Sequence, residues 1–191
     1  MNGDELLTLV RQRIEGGMPR GDARGVAWLK EAVKLGHPGA EYALATWHLF
    51  GCGVRKNYRE AVALLEKAIQ GGDADACFDL AICYDKGAGV KRNHRKAVHL
   101  YQLGARRGHI QCADSLAASY FHGDGTRQNR RKAALWYRVA GKKGHADAAY
   151  SLGLIYRSGY GVAANRKASR FWLRKAAKEG HEDAIAALDD K

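Results

Sequence analysis

The chain has 191 residues, 46% of them hydrophobic, with 32 Lys and Arg against 20 Asp and Glu, a formal net charge of +12. This is long and apolar enough for one domain with a continuous core, which excludes a disordered chain, and no apolar run approaches the ~20 residues a membrane-spanning helix needs. The positive balance points to an anionic partner or surface and says nothing of the fold.

The sequence repeats every 36 residues. Leu44, Leu80, Leu116, Leu152 and Leu188 share a register, as do Gly51, Gly87, Gly123 and Gly159, then Gly53, Gly89, Gly125 and Gly161. Asn57, Asn93, Asn129 and Asn165 follow, and Gly72, Gly108, Gly144 and Gly180 close each unit. A fixed period of this size without insertions predicts an all-α solenoid of helix hairpins, a single repeat domain over residues 1–191.

Taken in order, residues 4–37 read as a degenerate first hairpin. Trp28 lies one period before Leu64, Gly17 before Gly53 and Gly36-His37 before Gly72-Asp73, while Pro19 and Pro38 mark helix starts. Full repeats follow at 38–73, 74–109, 110–145 and 146–181. In the unit 74–109, Ala76, Leu80, Ala81 and Tyr84 form an apolar stripe at helical spacing. Gly87 and Gly89 stop that helix, and Asn93 caps a second one carrying Ala97, Leu100, Tyr101 and Gly104 on one face. Asn57 with Glu60 gives a capping-box pattern in the preceding unit. Small residues recur where helices must approach, in the columns Ala40, Ala76, Cys112, Ala148, Ala184 and Ala68, Gly104, Ala140, Ala176; Leu64, Leu100, Trp136 and Trp172 fill the matching holes. Residues 182–191 begin a sixth unit and stop after one helix, whose Glu182, Asp183, Asp189 and Asp190 suit a polar terminal cap.

The run from Ala148 to Val162, with Leu152, Gly153, Tyr156, Gly159 and Gly161, resembles the first helix and turn of a Sel-one-like repeat. Lys132-Ala133-Ala134-Leu135-Trp136-Tyr137 and Lys143-Gly144-His145 are similar to its second helix and end. The resemblance covers residues 38–181 well and 4–37 weakly. It implies a right-handed, tetratricopeptide-like superhelix and a non-enzymatic adaptor role, in a bacterial signalling, secretion or immunity complex. Two departures stand out: Asn57, Asn93, Asn129 and Asn165 stand where the family often has Asp, and the regular cysteine pair of the secreted members is missing.

In tetratricopeptide-type stacks the first helix of each hairpin lines the inner face, at positions three and four residues apart. That mapping gives a first row of Tyr42, Phe78, Asp114 and Tyr150, a second containing Thr46, Ile82 and Leu154, and a third containing Phe50, Asp85, Phe121, His122 and Arg157. Aromatic rings supply contact area at low entropic cost, so the rows read as a groove for a protein or peptide segment, or as rings half-buried between adjacent first helices.

The cations gather at one address, the turn and first turn of each second helix: Arg55, Lys56, Arg59; Lys91, Arg92, Arg95, Lys96; Arg127, Arg130, Arg131, Lys132; Arg166 and Lys167. Cations there oppose the helix dipole, so folding does not ask for them. The ladder is either a solvated face or a site for an acidic protein segment, phospholipid headgroups or nucleic acid. Only Tyr58 and His94 along it offer stacking, which weakens the case for polynucleotide.

Nothing in the sequence specifies an enzyme, a cofactor, a metal or a small-molecule substrate, and a hydrolase is the weakest of the three function classes. The Gly-x-Gly turns lack the Gly-Lys-Ser/Thr continuation of a phosphate loop. Cys52, Cys77, Cys83 and Cys112 occupy four different repeat positions and read as free thiols. His37, His109, His145 and His181 recur at second-helix ends, too far apart for shared ligation, and are expected to cap carbonyls or fill the turn. Met1-Asn2-Gly3-Asp4-Glu5 lacks the basic-then-apolar pattern of a secretory signal, so a cytoplasmic location is expected.

Overall fold

The computed structural model describes residues 1–15 and 23–189. Among them there are eleven helices and no strands. They are α1 (Gly3–Glu15), α2 (Ala23–Lys34), α3 (Pro38–Phe50), α4 (Tyr58–Gln70), α5 (Asp75–Lys86), α6 (His94–Arg106), α7 (Ile110–His122), α8 (Arg130–Lys142), α9 (Ala146–Ser158), α10 (Arg166–Lys178) and α11 (Glu182–Asp189). The expected helix start at Pro19 and the register of Gly17 lie outside the described residues.

The packing divides the chain into two compact units, Met1–Asn93 and His94–Lys191. In the first, α1 packs on α2, α3 on α4, and α2 and α4 pack on the first helix of the following hairpin. In the second, α7 packs on α8 and α9 on α10, while α6·α7, α8·α9 and α10·α11 join successive hairpins. The sequence columns supply most of each core, while Leu100, Trp136 and Leu188 are only half-buried. Leu44 and Leu80 in the first unit and Leu116 and Leu152 in the second are buried, as are all five of Ala40, Ala76, Cys112, Ala148 and Ala184. A residue no larger than Cys at that position lets neighbouring helices close on one another.

The Gly-x-Gly turn has two distinct jobs. The first glycine ends the first helix: Gly123 is left-handed at φ +88°, and its N–H donates to Ser119 O at 2.8 Å. The second glycine is a point of close approach. A Cβ on Gly89, itself at φ +74°, would sit 2.5 Å from the Tyr58 carbonyl at the start of α4. Gly125 meets the backbone of His94 and Gly161 that of Arg130 in the same way. The turn of one hairpin is thus seated on the first turn of the second helix of the hairpin before it.

Each turn closes on the asparagine. The N–H of Asn57, Asn93, Asn129 and Asn165 donates to the carbonyl of His48, Tyr84, Tyr120 and Tyr156 at 2.7–2.9 Å. The side chains of Asn57, Asn129 and Asn165 accept from backbone N–H groups of the first helical turn. The capping box expected at Asn57 and Glu60 forms by half. Asn57 accepts from Glu60 N at 3.2 Å, but its own N–H is already given to His48, leaving Glu60 nothing to cap.

The four cysteines are free, three of them buried, and burial pushes the Cys83 thiol up to about 11.

Gly144 and Gly89 are both left-handed, yet only Gly89 has backbone in the way of a Cβ. Gly144→Ala is expected to cost about 1–2 kcal/mol, the conformational penalty alone. Gly89→Ala adds overpacking of roughly 1–3 kcal/mol. Urea titration followed by circular dichroism checks the ordering; equal losses would contradict the seating of the turn.

Candidate partner-binding cleft

The repeat position just before each first helix is occupied by His37, Asp73, His109, His145 and His181. Each caps the helix that follows. His Nδ1 accepts from Ala40, Cys112, Ala148 and Ala184 N at 3.1–3.3 Å, and Asp73 Oδ1 accepts from Ala76 N at 2.9 Å. The histidines therefore satisfy N–H groups of the next helix and not carbonyls of the helix before, because their rings point forward along the chain. An accepting Nδ1 places the proton on Nε2. That nitrogen faces Asp4 at 2.6 Å in His37 and Asp147 at 3.5 Å in His181.

This column explains much of the first groove row. Tyr150 stacks on the His181 ring with centroids 4.3 Å apart, so one of its faces is covered. Tyr42 donates its phenol to the Asp79 carboxylate on α5; burial first, and that carboxylate second, hold the phenol far above its ordinary range. Asp114 lies 3.8 Å from His145 Nδ1 and is partly buried. Phe78 is half-buried. In the second row Thr46 turns its hydroxyl back to Ala43 O at 2.8 Å, and Ile82 and Leu154 are half-buried. In the third, Phe50 is 72% exposed, Asp85 is half-buried, and His122 and Arg157 are exposed.

Within the second unit, four of these residues converge. Phe121 and His122 at the end of α7, with Leu154 and Arg157 on α9, line a cleft of about 370 Å³. Ser151, Ile155 and Ser158 complete the α9 wall, Tyr137 contributes from α8, and Tyr160 closes one end from the turn. Tyr137 shares a hydrogen bond with Ser151; burial, then the charge of Asp114, pushes its phenol up to about 12. The Arg130 guanidinium stands over both the Phe121 and Tyr160 rings, 5.9 and 5.0 Å from their centroids. The cleft therefore combines apolar and aromatic side chains with the hydroxyl groups of Ser151, Ser158, Tyr137 and Tyr160 and the Arg157 cation in its lining, and Arg130 lies over two of its rings. It suits an apolar or aromatic side chain with a carboxylate close by.

In the sequence Tyr137 reads as a packing residue and Arg130 as one cation of the basic edge, while Ser151, Ile155 and Tyr160 are not among the expected site residues. A signal existed for Tyr160: it is the middle residue of a Gly-x-Gly turn where the other repeats have Cys52, Ala88 and Asp124.

All thirteen cations of the edge are exposed. Lys56 lies over the Tyr58 ring at 4.8 Å and Lys132 over the Tyr120 ring at 5.3 Å. Among the described residues no group of three or more His, Cys, Asp or Glu is placed to hold a metal, and no helix is long and apolar enough to cross a membrane.

Burial holds the Asp114 carboxyl above the ordinary carboxylate range, with His145 opposing the shift and Asp147 adding to it. The folded protein then binds this proton more tightly than the unfolded chain. Stability from this group is present at low pH and lost as pH rises from the unfolded value of about 3.9 through the raised folded one. Asp114→Asn is expected to melt at a higher temperature than wild type at pH 7, with the difference shrinking as pH falls toward 4. Thermal melts across that range check the sign.

The family model of the Sel1 repeat matches residues 14–37, 38–73, 74–109, 112–145 and 146–181. Among solved structures, a protective antigen present in uropathogenic Escherichia coli strains and displaying an SLR fold is 27% identical with a TM-score of 0.93. The match covers 97% of this chain and 40% of that one, so the chain spans well under half the length of that relative. A Sel1 repeat protein from Oxalobacter formigenes is 23% identical, with a TM-score of 0.85 over 98% of this chain and 75% of its own. An immunity protein from Pseudomonas aeruginosa shares the fold at 21% identity and a TM-score of 0.57, over 94% of this chain and 68% of its own. None of the curated proteins is significantly similar in sequence. With five matched segments covering most of its length and helix hairpins to correspond, the chain belongs to the Sel1 repeat family.

Proposed function

We propose that the protein is a non-enzymatic scaffold that holds a segment of a partner protein against its first-helix face. Sel1 repeats mediate protein–protein interaction. The single observation that carries the reading for this chain is the cleft of the second unit, which Phe121, His122, Leu154 and Arg157 line together. Burying one large apolar side chain there is worth about 1.5–3 kcal/mol, the scale of an interface hot spot.

The partner segment is acidic. Arg157 lines the cleft and Arg130 lies over its Phe121 and Tyr160 rings, and the exposed cations of the turns steer an acidic chain toward it. Tyr42 and Tyr150 are committed to Asp79 and His181, so they shape the face more than they offer free contact. A role inside an immunity, signalling or secretion complex fits this design; the Pseudomonas aeruginosa structure of the same fold is itself an immunity protein.

Affinity capture from native lysate after nuclease treatment is the test, followed by titration of the recovered protein. Phe121→Ala/Leu154→Ala/Arg157→Ala is expected to weaken the partner by about thirty-fold or more, as the loss of one hot spot does, while the helical signal stays intact. Tyr42→Ala/Phe78→Ala/Tyr150→Ala is expected to weaken it less and to lower the melting temperature. A partner held equally by the cleft variant would sink this reading, as would recovery of nuclease-sensitive material alone.

A further inference from the structure

The outer faces of α8 and α10 carry a pattern that continues beyond the turn cations Arg131 and Lys167 and that the cleft does not explain. α8 holds five Lys and Arg and α10 holds six, with no Asp or Glu in either helix. The exposed stripe of α10 runs Lys167, Arg170, Phe171, Arg174, Lys178, and that of α8 runs Arg131, Leu135, Arg138, Val139, Lys142. Apolar side chains thus sit in the middle of each stripe with cations on both sides along the helix. Phe171 is 60% exposed, Leu135 47% and Val139 39%. Leu135 and Phe171 are one period apart and so occupy the same place on their helices.

The two helices adjoin. Lys175 Nζ of α10 donates to Lys142 O of α8 at 3.0 Å, and Gly141 of α8 lies against the Trp172 ring. A shallow depression of about 1010 Å³ follows the α10 stripe, with Glu179 its one carboxylate. An ordinary solvated helix face interleaves both signs, as α4 does with Arg59, Glu66 and Lys67 on its exposed side.

We propose that this face of the second unit docks on an anionic phospholipid surface. Cations at the headgroup level and apolar side chains reaching the acyl boundary are what such a surface takes up together. A polynucleotide would use the cations but has no place for Leu135 or Val139, and Phe171 is the one ring within these two stripes to stack on. The protein would lie on the membrane and not cross it, in keeping with the absence, among the described residues, of any helix able to span.

Co-sedimentation of the full chain with vesicles at 0.15 M salt tests this, comparing phosphatidylcholine alone with phosphatidylcholine containing about one-third phosphatidylserine, the anionic lipid that attracts basic faces. Binding to the mixed vesicles and none to the neutral ones is expected. Leu135→Ser/Phe171→Ser, which leaves the charge untouched, is expected to weaken binding by about five-fold through lost apolar burial. Arg138→Glu/Arg174→Glu is expected to weaken it by roughly ten-fold or more. These positions are exposed, and unchanged circular dichroism confirms that each variant is folded. No binding to the mixed vesicles overturns the proposal. So does binding indifferent to Leu135→Ser/Phe171→Ser, which marks an unspecific charge effect. Tight binding of polyuridylate that the charge variant abolishes, with vesicles ignored, overturns it in favour of nucleic acid.

Discussion

The hairpins of each unit are spaced by a steric contact between backbone and backbone. The second glycine of every turn after the first full repeat is pressed against the opening residues of the preceding second helix: Gly89 on Tyr58, Gly125 on His94, Gly161 on Arg130. Side chains can adjust to a neighbour, but a carbonyl fixed in the first turn of a helix cannot. The contact therefore sets how far one hairpin can approach the next and leaves the repeat little freedom in its length. The buried columns of Ala and Cys and the leucines of the same register follow from it, since they fill a gap whose width is already decided.

Around that frame, the polar groups divide the labour. Asparagine closes the turn inside each hairpin, and histidine or aspartate opens the next first helix. Both satisfy backbone donors that a chain of short helices would otherwise leave unpaired. The histidine is a large choice for a cap. Its ring extends beyond the helix end, where Nε2 of His181 reaches Asp147 and its face receives Tyr150. A capping residue thereby becomes a link between neighbouring first helices, and it draws the groove residue Tyr150 into the structure.

Charge is segregated by helix type in the second unit. The second helices α6, α8 and α10 hold no Asp or Glu, whereas the first helices α7 and α9 carry Asp114 and Asp147. Nothing in helix stability calls for this, because cations near a helix start oppose its dipole. The same chain thus presents two chemically different faces in that unit, an aromatic cleft with Arg157 in its lining and a basic face set with apolar side chains.

The architecture was legible in the sequence because a 36-residue period states the same rule several times. Leu116, Gly125 and Asn129 each appear with partners one period away, so chance agreement is excluded and local meaning is reinforced. What the period could not convey lies in departures from it. Tyr160 stands in a turn position held elsewhere by Cys, Ala or Asp; Arg130 was legible as one cation among thirteen, yet it comes to rest over two rings; Tyr137 faces both its helix partner and the cleft. Repetition fixes which residues are buried and where helices begin and end, since those depend on spacing along one chain. Which of the remaining side chains meet depends on the packing of α7, α8 and α9 together, and only the tertiary structure decides that. The cleft, and the stacking of Tyr150 on His181, were therefore set by distances between helices that no spacing in the sequence encodes.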